Sequence, residues 1–272
     1  MAIAVLLFIG AALISWWLYG ERLKQAYFKS RERPLTDPQR RQLARDMPLY
    51  SRLPARQRQK LDALIVAFVS RVEFIGCAGL EIETRMRLLI SAQACLLLIG
   101  RDEPAYPNVH TVYLYPNDFI NRQPQWLPGG VVDTQGKHLA GEAWRDGRVV
   151  LSWAGCLRSA AHPFDGENLV VHEFAHQLDQ AKGAATGAPL QATQLQAQHW
   201  QQTFSEAFQR HQHAVAAGHH GLIDPYGATN PAEFFAVLSE LFFERGAALA
   251  QTEPAVYSLL MVFYGLDTRH WH

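Results

Sequence analysis

The chain has 272 residues, 49% of them hydrophobic, enough for one large domain or two small ones around a sizeable core. Lys plus Arg and Asp plus Glu both number 25, so the formal net charge is zero and there is no electrostatic case for a nucleic-acid partner. Cys77, Cys95 and Cys156 are odd in number, widely spaced and set among apolar neighbours, the pattern of buried free thiols in a reducing compartment.

The first segment, "MAIAVLLFIGAALISWWLYG" (1–20), is apolar enough for a transmembrane helix, with Trp16, Trp17 and Tyr19 where an interfacial belt would sit. A cleaved signal peptide would carry positive charge before the apolar run. Here Arg22, Lys24, Lys29, Arg31 and Arg33 all follow it. The expectation is an uncleaved single-pass anchor in the inner membrane, with the rest of the chain in the cytoplasm. Residues 21–53 are charge-rich and broken by Pro34, Pro38 and Pro48, and read as a juxtamembrane linker with one short helix around Asp37 to Arg45.

From Pro54 onward the text turns helical. "ARQRQKLDALIVAFVSRVEF" repeats apolar residues at Leu61, Leu64, Ile65 and Phe68, and "LEIETRMRLLISAQACLLLIG" reads as a second helix ending at Gly100. "VHTVYLYP" alternates and is a strand stopped by Pro116, and Arg148–Trp153 in "GRVVLSW" is a second strand. Such a strand, if exposed beside a catalytic helix, would pair with an extended substrate; as an ordinary sheet member it needs no such role. Three more helices follow, over Asn168–Lys182, in "LQAQHWQQTFSEAFQRHQHAVAA" and in "PAEFFAVLSELFFER".

The chemistry concentrates in "NLVVHEFAHQLDQ". On a helix His172 and His176 lie on one face and aim at a shared point, with Glu173 beside them. This HExxH arrangement supplies two imidazole ligands to zinc and a carboxylate to act as general base on a metal-activated water. The surrounding Leu, Val, Phe and Ala imply burial, and buried imidazoles demand a partner that a metal provides. Asp179 lies three residues after His176, placed either to receive a ring N–H of a ligand histidine or to hold a neighbouring loop.

No third histidine follows at metzincin spacing, so the third ligand would be a distal glutamate. "YGATNPAEFFAVLSELFFER" offers Glu233, Glu240 and Glu244. Asn230 as N-cap with Glu233 three residues on could equally be a capping pair, and spacing does not separate Glu233 from Glu240. His211, His213, His219, His220, His270 and His272 carry no comparable pattern.

"HEFAHQLD" followed about fifty residues later by "YGATNPAEFFAVLSELFF" resembles the Mlc titration factor A family of bacterial zinc metallopeptidases, with further matches in "VYLYPNDFI" and "GEAWRDGRVVLSW". The paired motifs are also similar to the catalytic domain of anthrax lethal factor. The resemblance, over roughly Pro54 to Tyr264, implies Glu233 as the third zinc ligand and Tyr226 as a phenol that stabilises the oxyanion. It implies a peptidase, aminopeptidase-like toward short substrates; the alternative is an interaction protein that sequesters a transcriptional repressor of the Mlc type, with the metal site regulatory or vestigial. The best-known members of that family are soluble and lack an N-terminal anchor. The combined expectation is an α+β chain: an anchor (1–20), a linker (21–53) and a zincin-like metallopeptidase domain (54–272), mostly helical with a small sheet.

Overall fold

The computed structural model describes residues 20–271 apart from 21–22, 24–25, 103–105, 122–124, 128–130, 134–136, 140, 144–145, 181–185 and 190–192, and only the backbone of 119–145. Helices α1 (Asp37–Asp46) and α2 (Pro48–Arg52) lead into the long α3 (Ala55–Arg71), strand β1 (Glu73–Gly76) and helix α4 (Thr84–Leu96). Strand β2 (Thr111–Tyr115) is followed by five three-residue strands: β3 (Phe119–Asn121), β4 (Gln125–Leu127), β5 (Val131–Asp133), β6 (Lys137–Leu139) and β7 (Gly141–Ala143). Then come β8 (Arg148–Ser152), α5 (Trp153–Ala161), α6 (Leu169–Asp179), α7 (Gln194–Ala216), α8 (Pro231–Glu244), α9 (Gly246–Thr252) and α10 (Pro254–Tyr264).

The main sheet runs β1-β2-β8-β7, with β1, β2 and β8 parallel and β7 antiparallel at the edge. The register pairs Val112 with Val149 and Leu114 with Leu151, all four buried. Short parallel strands covered by helices are apolar on more than one face, as these are. The expected strand Arg148–Trp153 ends one residue early, because the Ser152 hydroxyl accepts the Gly155 N–H and opens α5. This strand is interior to the sheet, paired on both sides, so it offers no free edge. The edge strand beside it, β7, packs against α6.

Helix ends follow their local chemistry. Thr36 and Gln39, and again Thr193 and Gln196, form reciprocal capping boxes at the starts of α1 and α7. Asn230 caps α8, with Pro231 in its first turn. The core gathers aromatic rings around α8: Trp200 stacks on Phe204 at 4.9 Å and meets Phe235 edge-on at 5.9 Å.

Two expectations change. Leu35, Leu43, Met47, Leu49, Tyr50 and Leu53 join the core, so 35–53 folds onto the domain rather than forming a linker; apolar residues at helical spacing outweigh the prolines, of which Pro38 and Pro48 sit at helix starts. The expected anchor (1–20) lies outside the described residues apart from Gly20. Among the described residues no helix is long and apolar enough to cross a membrane, which overturns the expected placement as a single-pass inner-membrane protein. A span needs roughly 20 apolar residues in a row. The described helical stretch 26–31 is largely exposed and carries Lys29 and Arg31.

Candidate metal centre

Helix α6 is buried on nearly every side, with Val170, Val171, Phe174 and Ala175 in the core. Its start is fixed by Asn168, whose side-chain oxygen accepts the Val171 N–H at 3.0 Å. One helical turn separates His172 from His176, so both rings face α8, with centroids 4.9 Å apart and Nε2 atoms 3.2 Å apart.

The α8 side supplies the acids. Glu233 Oε2 lies 3.0 Å from His172 Nε2 and 3.3 Å from His176 Nε2. Four-coordinate zinc with ligand bonds of about 2.0–2.1 Å places its ligand atoms about 3.3 Å from one another. The three donor atoms therefore fit one small cation, and among the described residues they form a compact group able to hold a metal. Of the two acids left open by spacing, Glu233 meets both Nε2 atoms, while Glu240 meets His172 from behind. His172 Nδ1 donates to Glu240 Oε1 at 2.7 Å, so a metal that displaced the proton at Nε2 would find the other ring nitrogen already held by an acceptor. The other oxygen of Glu240 accepts the backbone N–H of Asn168.

Electrostatics follow from this crowding. Burial alone would lower the His172 pKa, but the Glu240 charge and the bonds to Glu233 and Glu240 outweigh it and hold the ring well above its ordinary value. Burial pushes Glu233 up, yet its bonds to both histidines hold it well below the usual carboxylate range. Burial dominates at Glu240, which is raised despite His172.

Glu173 is buried beside this group, and its charge acts on both His172 and Tyr226. Tyr226 lies in a short 3-10 turn, Pro225–Ala228, capped by Asp224, whose carboxylate accepts the Tyr226 N–H at 2.7 Å. His211 holds the same turn by donating to the Asp224 carbonyl at 3.0 Å. The turn leaves the Tyr226 residue 47% exposed, with its ring centroid 6.0 Å from that of His172. Burial of the ring, then Glu233 and Glu173, push its phenol up, so the proton stays on the oxygen.

Asp179 faces a loop. Its Oδ2 accepts the Gly187 N–H at 2.7 Å, and the Gly187 carbonyl accepts Trp200 Nε1 at 2.9 Å. Gly187 has φ +70°, and a Cβ there would meet the Pro231 carbonyl oxygen at 2.2 Å, so only glycine lets this loop seat against the start of α8. The sequence pattern offers Glu240 and Glu244 only as alternative ligands and assigns Asn168 no role. The available signal was the spacing of Glu233, Glu240 and Glu244, which falls on one stripe about 40° wide.

The family model described as glucose-regulated metallo-peptidase M90 matches residues 21–265. An uncharacterized protein of Synechocystis sp. is 36% identical over 271 residues, 98% of this chain and 97% of that one. Proteins named Mlc titration factor A are similar too: that of Pectobacterium atrosepticum is 33% identical over 83% of this chain and 85% of its own length. That of Cronobacter sakazakii is 32% identical over 81% and 83%.

Proposed function

This chain belongs to the M90 family of glucose-regulated metallopeptidases, and from that premise we propose that it is a zinc-dependent peptidase with a zincin-like catalytic domain. The observation that carries this reading is the convergence of His172, His176 and Glu233 from two helices, with separations of 3.0–3.3 Å between donor atoms. A zinc ion held there would act as a Lewis acid toward a peptide carbonyl and lower the pKa of a water.

The chain's own residues supply the rest. Glu173 takes a proton at its carboxylate and returns it to the leaving amine. The Tyr226 phenol, kept protonated by its acidic surroundings, donates to the carbonyl oxygen as charge builds there. Glu240 keeps the proton on His172 Nδ1 and so keeps Nε2 aimed at the centre. Resemblance within the family supports a finer form, an aminopeptidase-like preference for short peptides.

The relatives' names support a second reading more directly than they support hydrolysis. Proteins called Mlc titration factor A cover four-fifths of this chain, which favours capture of a transcriptional repressor of the Mlc type, with the metal site regulatory or vestigial. One set of variants separates the two. Wild type, Glu173→Gln and Glu233→Ala are compared for zinc content, cleavage of a peptide library and capture of a purified Mlc-type repressor. Hydrolysis predicts that Glu173→Gln retains zinc and loses at least about a hundredfold in turnover, while Glu233→Ala loses the metal. Wild-type turnover in Glu173→Gln would remove the assigned base. Repressor capture indifferent to Glu173→Gln, with no peptide cleaved by wild type, would leave the second reading standing alone.

A further inference from the structure

The last acid of the α8 stripe has no part in the chemistry above, yet it is the most deeply buried of the three. Glu244 is 1% exposed, against 8% for Glu240. Both its oxygens are engaged: Oε1 accepts Asn168 Nδ2 at 2.9 Å, and Oε2 accepts the Phe164 N–H at 2.5 Å. Burial, with Asp165 and Glu240 nearby, pushes its pKa up to about 7 against the pull of those two bonds. A carboxyl held at such a cost fixes something in place.

What it fixes is the approach to the motif helix. Phe164 has φ +84°, a backbone conformation that a bulky residue keeps only when its surroundings hold it. Glu244 holds its N–H, and the Arg52 guanidinium lies 4.6 Å from its ring centroid. Two residues on, Gly166 has φ +99°, and a Cβ there would meet Leu241 of α8 at 3.0 Å. The loop then delivers Asn168, which three groups grip: Glu244 takes its amide N–H, Glu240 its backbone N–H, and the Val171 N–H its side-chain oxygen. The Asn168 carbonyl in turn accepts the His172 N–H at 2.8 Å.

We propose that Glu244 is a positioning residue for the metal centre: through Asn168 it fixes the first turn of α6, and with it the aim of the His172 ring. This rests on the reading of His172, His176 and Glu233 as metal ligands. Without Glu244 the strained loop is free to relax, Asn168 loses one of its three holds, and the first turn loosens. Glu240 and Glu233, about one and about three helical turns away on the same stripe, would be left in place to meet a ring that is less well aimed.

Glu244→Ala and Glu244→Gln in the full chain test this, with His172→Ala as the control. Two quantities are read: zinc affinity by competition with a chromogenic chelator, and amide hydrogen exchange in chelator-treated protein. Glu244→Ala is expected to weaken zinc binding about tenfold. It should also speed exchange at Val171 and His172 by about tenfold or more, while α7 amides keep wild-type protection. Glu244→Gln keeps one acceptor oxygen and should fall between; should the alanine variant fail to fold, the glutamine variant carries the same comparison. Zinc affinity within about twofold of wild type, with unchanged exchange at those two amides, overturns the proposal. If wild type and His172→Ala bind zinc alike, the metal-centre reading falls, and the exchange result alone decides whether Glu244 positions the helix.

Discussion

Helix α8 shows two unlike faces to the interior. One carries Phe234, Phe235, Phe242 and Phe243, packed among Trp200, Phe204, Phe263 and Tyr264. The other carries Glu233, Glu240 and Glu244, facing α6. Burying the rings is favourable wherever they go, at roughly 25 cal/mol per Å² of apolar surface. Burying the acids is not: replacing buried charges by apolar residues of similar volume is often neutral or stabilising. The aromatic face accounts for why the helix is stable, and the acid face for what the helix is used for.

The largest way to break that contrast is from the aromatic side. Phe235 is fully buried between Trp200 and Phe263. Phe235→Ala should cost about 3–5 kcal/mol through lost contacts and a residual cavity, lowering Tm by roughly 10 °C. The zinc content of the chains that remain folded should not change. A thermal melt beside elemental analysis measures both, and a loss of metal without a loss of Tm would reverse the division of labour between the faces.

The second prediction probes the acid face through pH. The Glu244 carboxyl is pushed up to about 7, chiefly by burial, so the folded chain binds its proton more tightly than the unfolded one. The stability this confers is fully present below the unfolded pKa of about 4.5 and is lost as pH rises through about 7. The swing is about 3 kcal/mol over that window. Urea unfolding at about pH 5 and about pH 8 should therefore show wild type losing stability relative to Glu244→Gln as pH rises. Parallel pH dependences would mean that Glu244 does not titrate in this range.

How much of this was legible in the sequence follows from the same geometry. His172, Glu173 and His176 could be read because a helix puts i and i+4 on one face, a relation internal to one element. Glu233 and Glu240 could not be separated, because residues seven apart share a stripe, and only the placement of α6 against α8 decides which carboxylate meets both rings. Strand β2 is visible from alternation, and β8 as a short apolar run after a turn-rich stretch. Strand β1 was absorbed into the preceding helix, since the apolar run continues through "RVEF" while the backbone turns extended at Val72. Helices α9 and α10 are hard to read because they are short or nearly uniformly apolar, and the nine-residue α5 because it runs straight on from the apolar strand β8. Leu35, Leu43 and Met47 were hidden behind the charges and prolines around them.

The smallest prediction returns to the capping pair that could have explained Glu233 without any metal. In a capping box the third residue's side chain returns to the N-cap backbone N–H, as Gln39 does for Thr36 and Gln196 for Thr193. Asn230 does its half, accepting the Ala232 and Glu233 N–H groups at 2.9 and 3.0 Å, but the Glu233 carboxylate turns to the histidines. The cap and the carboxylate are therefore separate devices on one turn. Asn230 is also exposed, unlike Asn168, and among the described residues its side chain bonds only to its own helix. Asn230→Ala should cost about 1 kcal/mol, a Tm drop of roughly 3 °C, with zinc affinity changed by no more than about threefold. If instead the metal were lost with the cap, Glu233 would depend on Asn230 for its aim, and the first turn of α8 would have to count as part of the centre just as the first turn of α6 does.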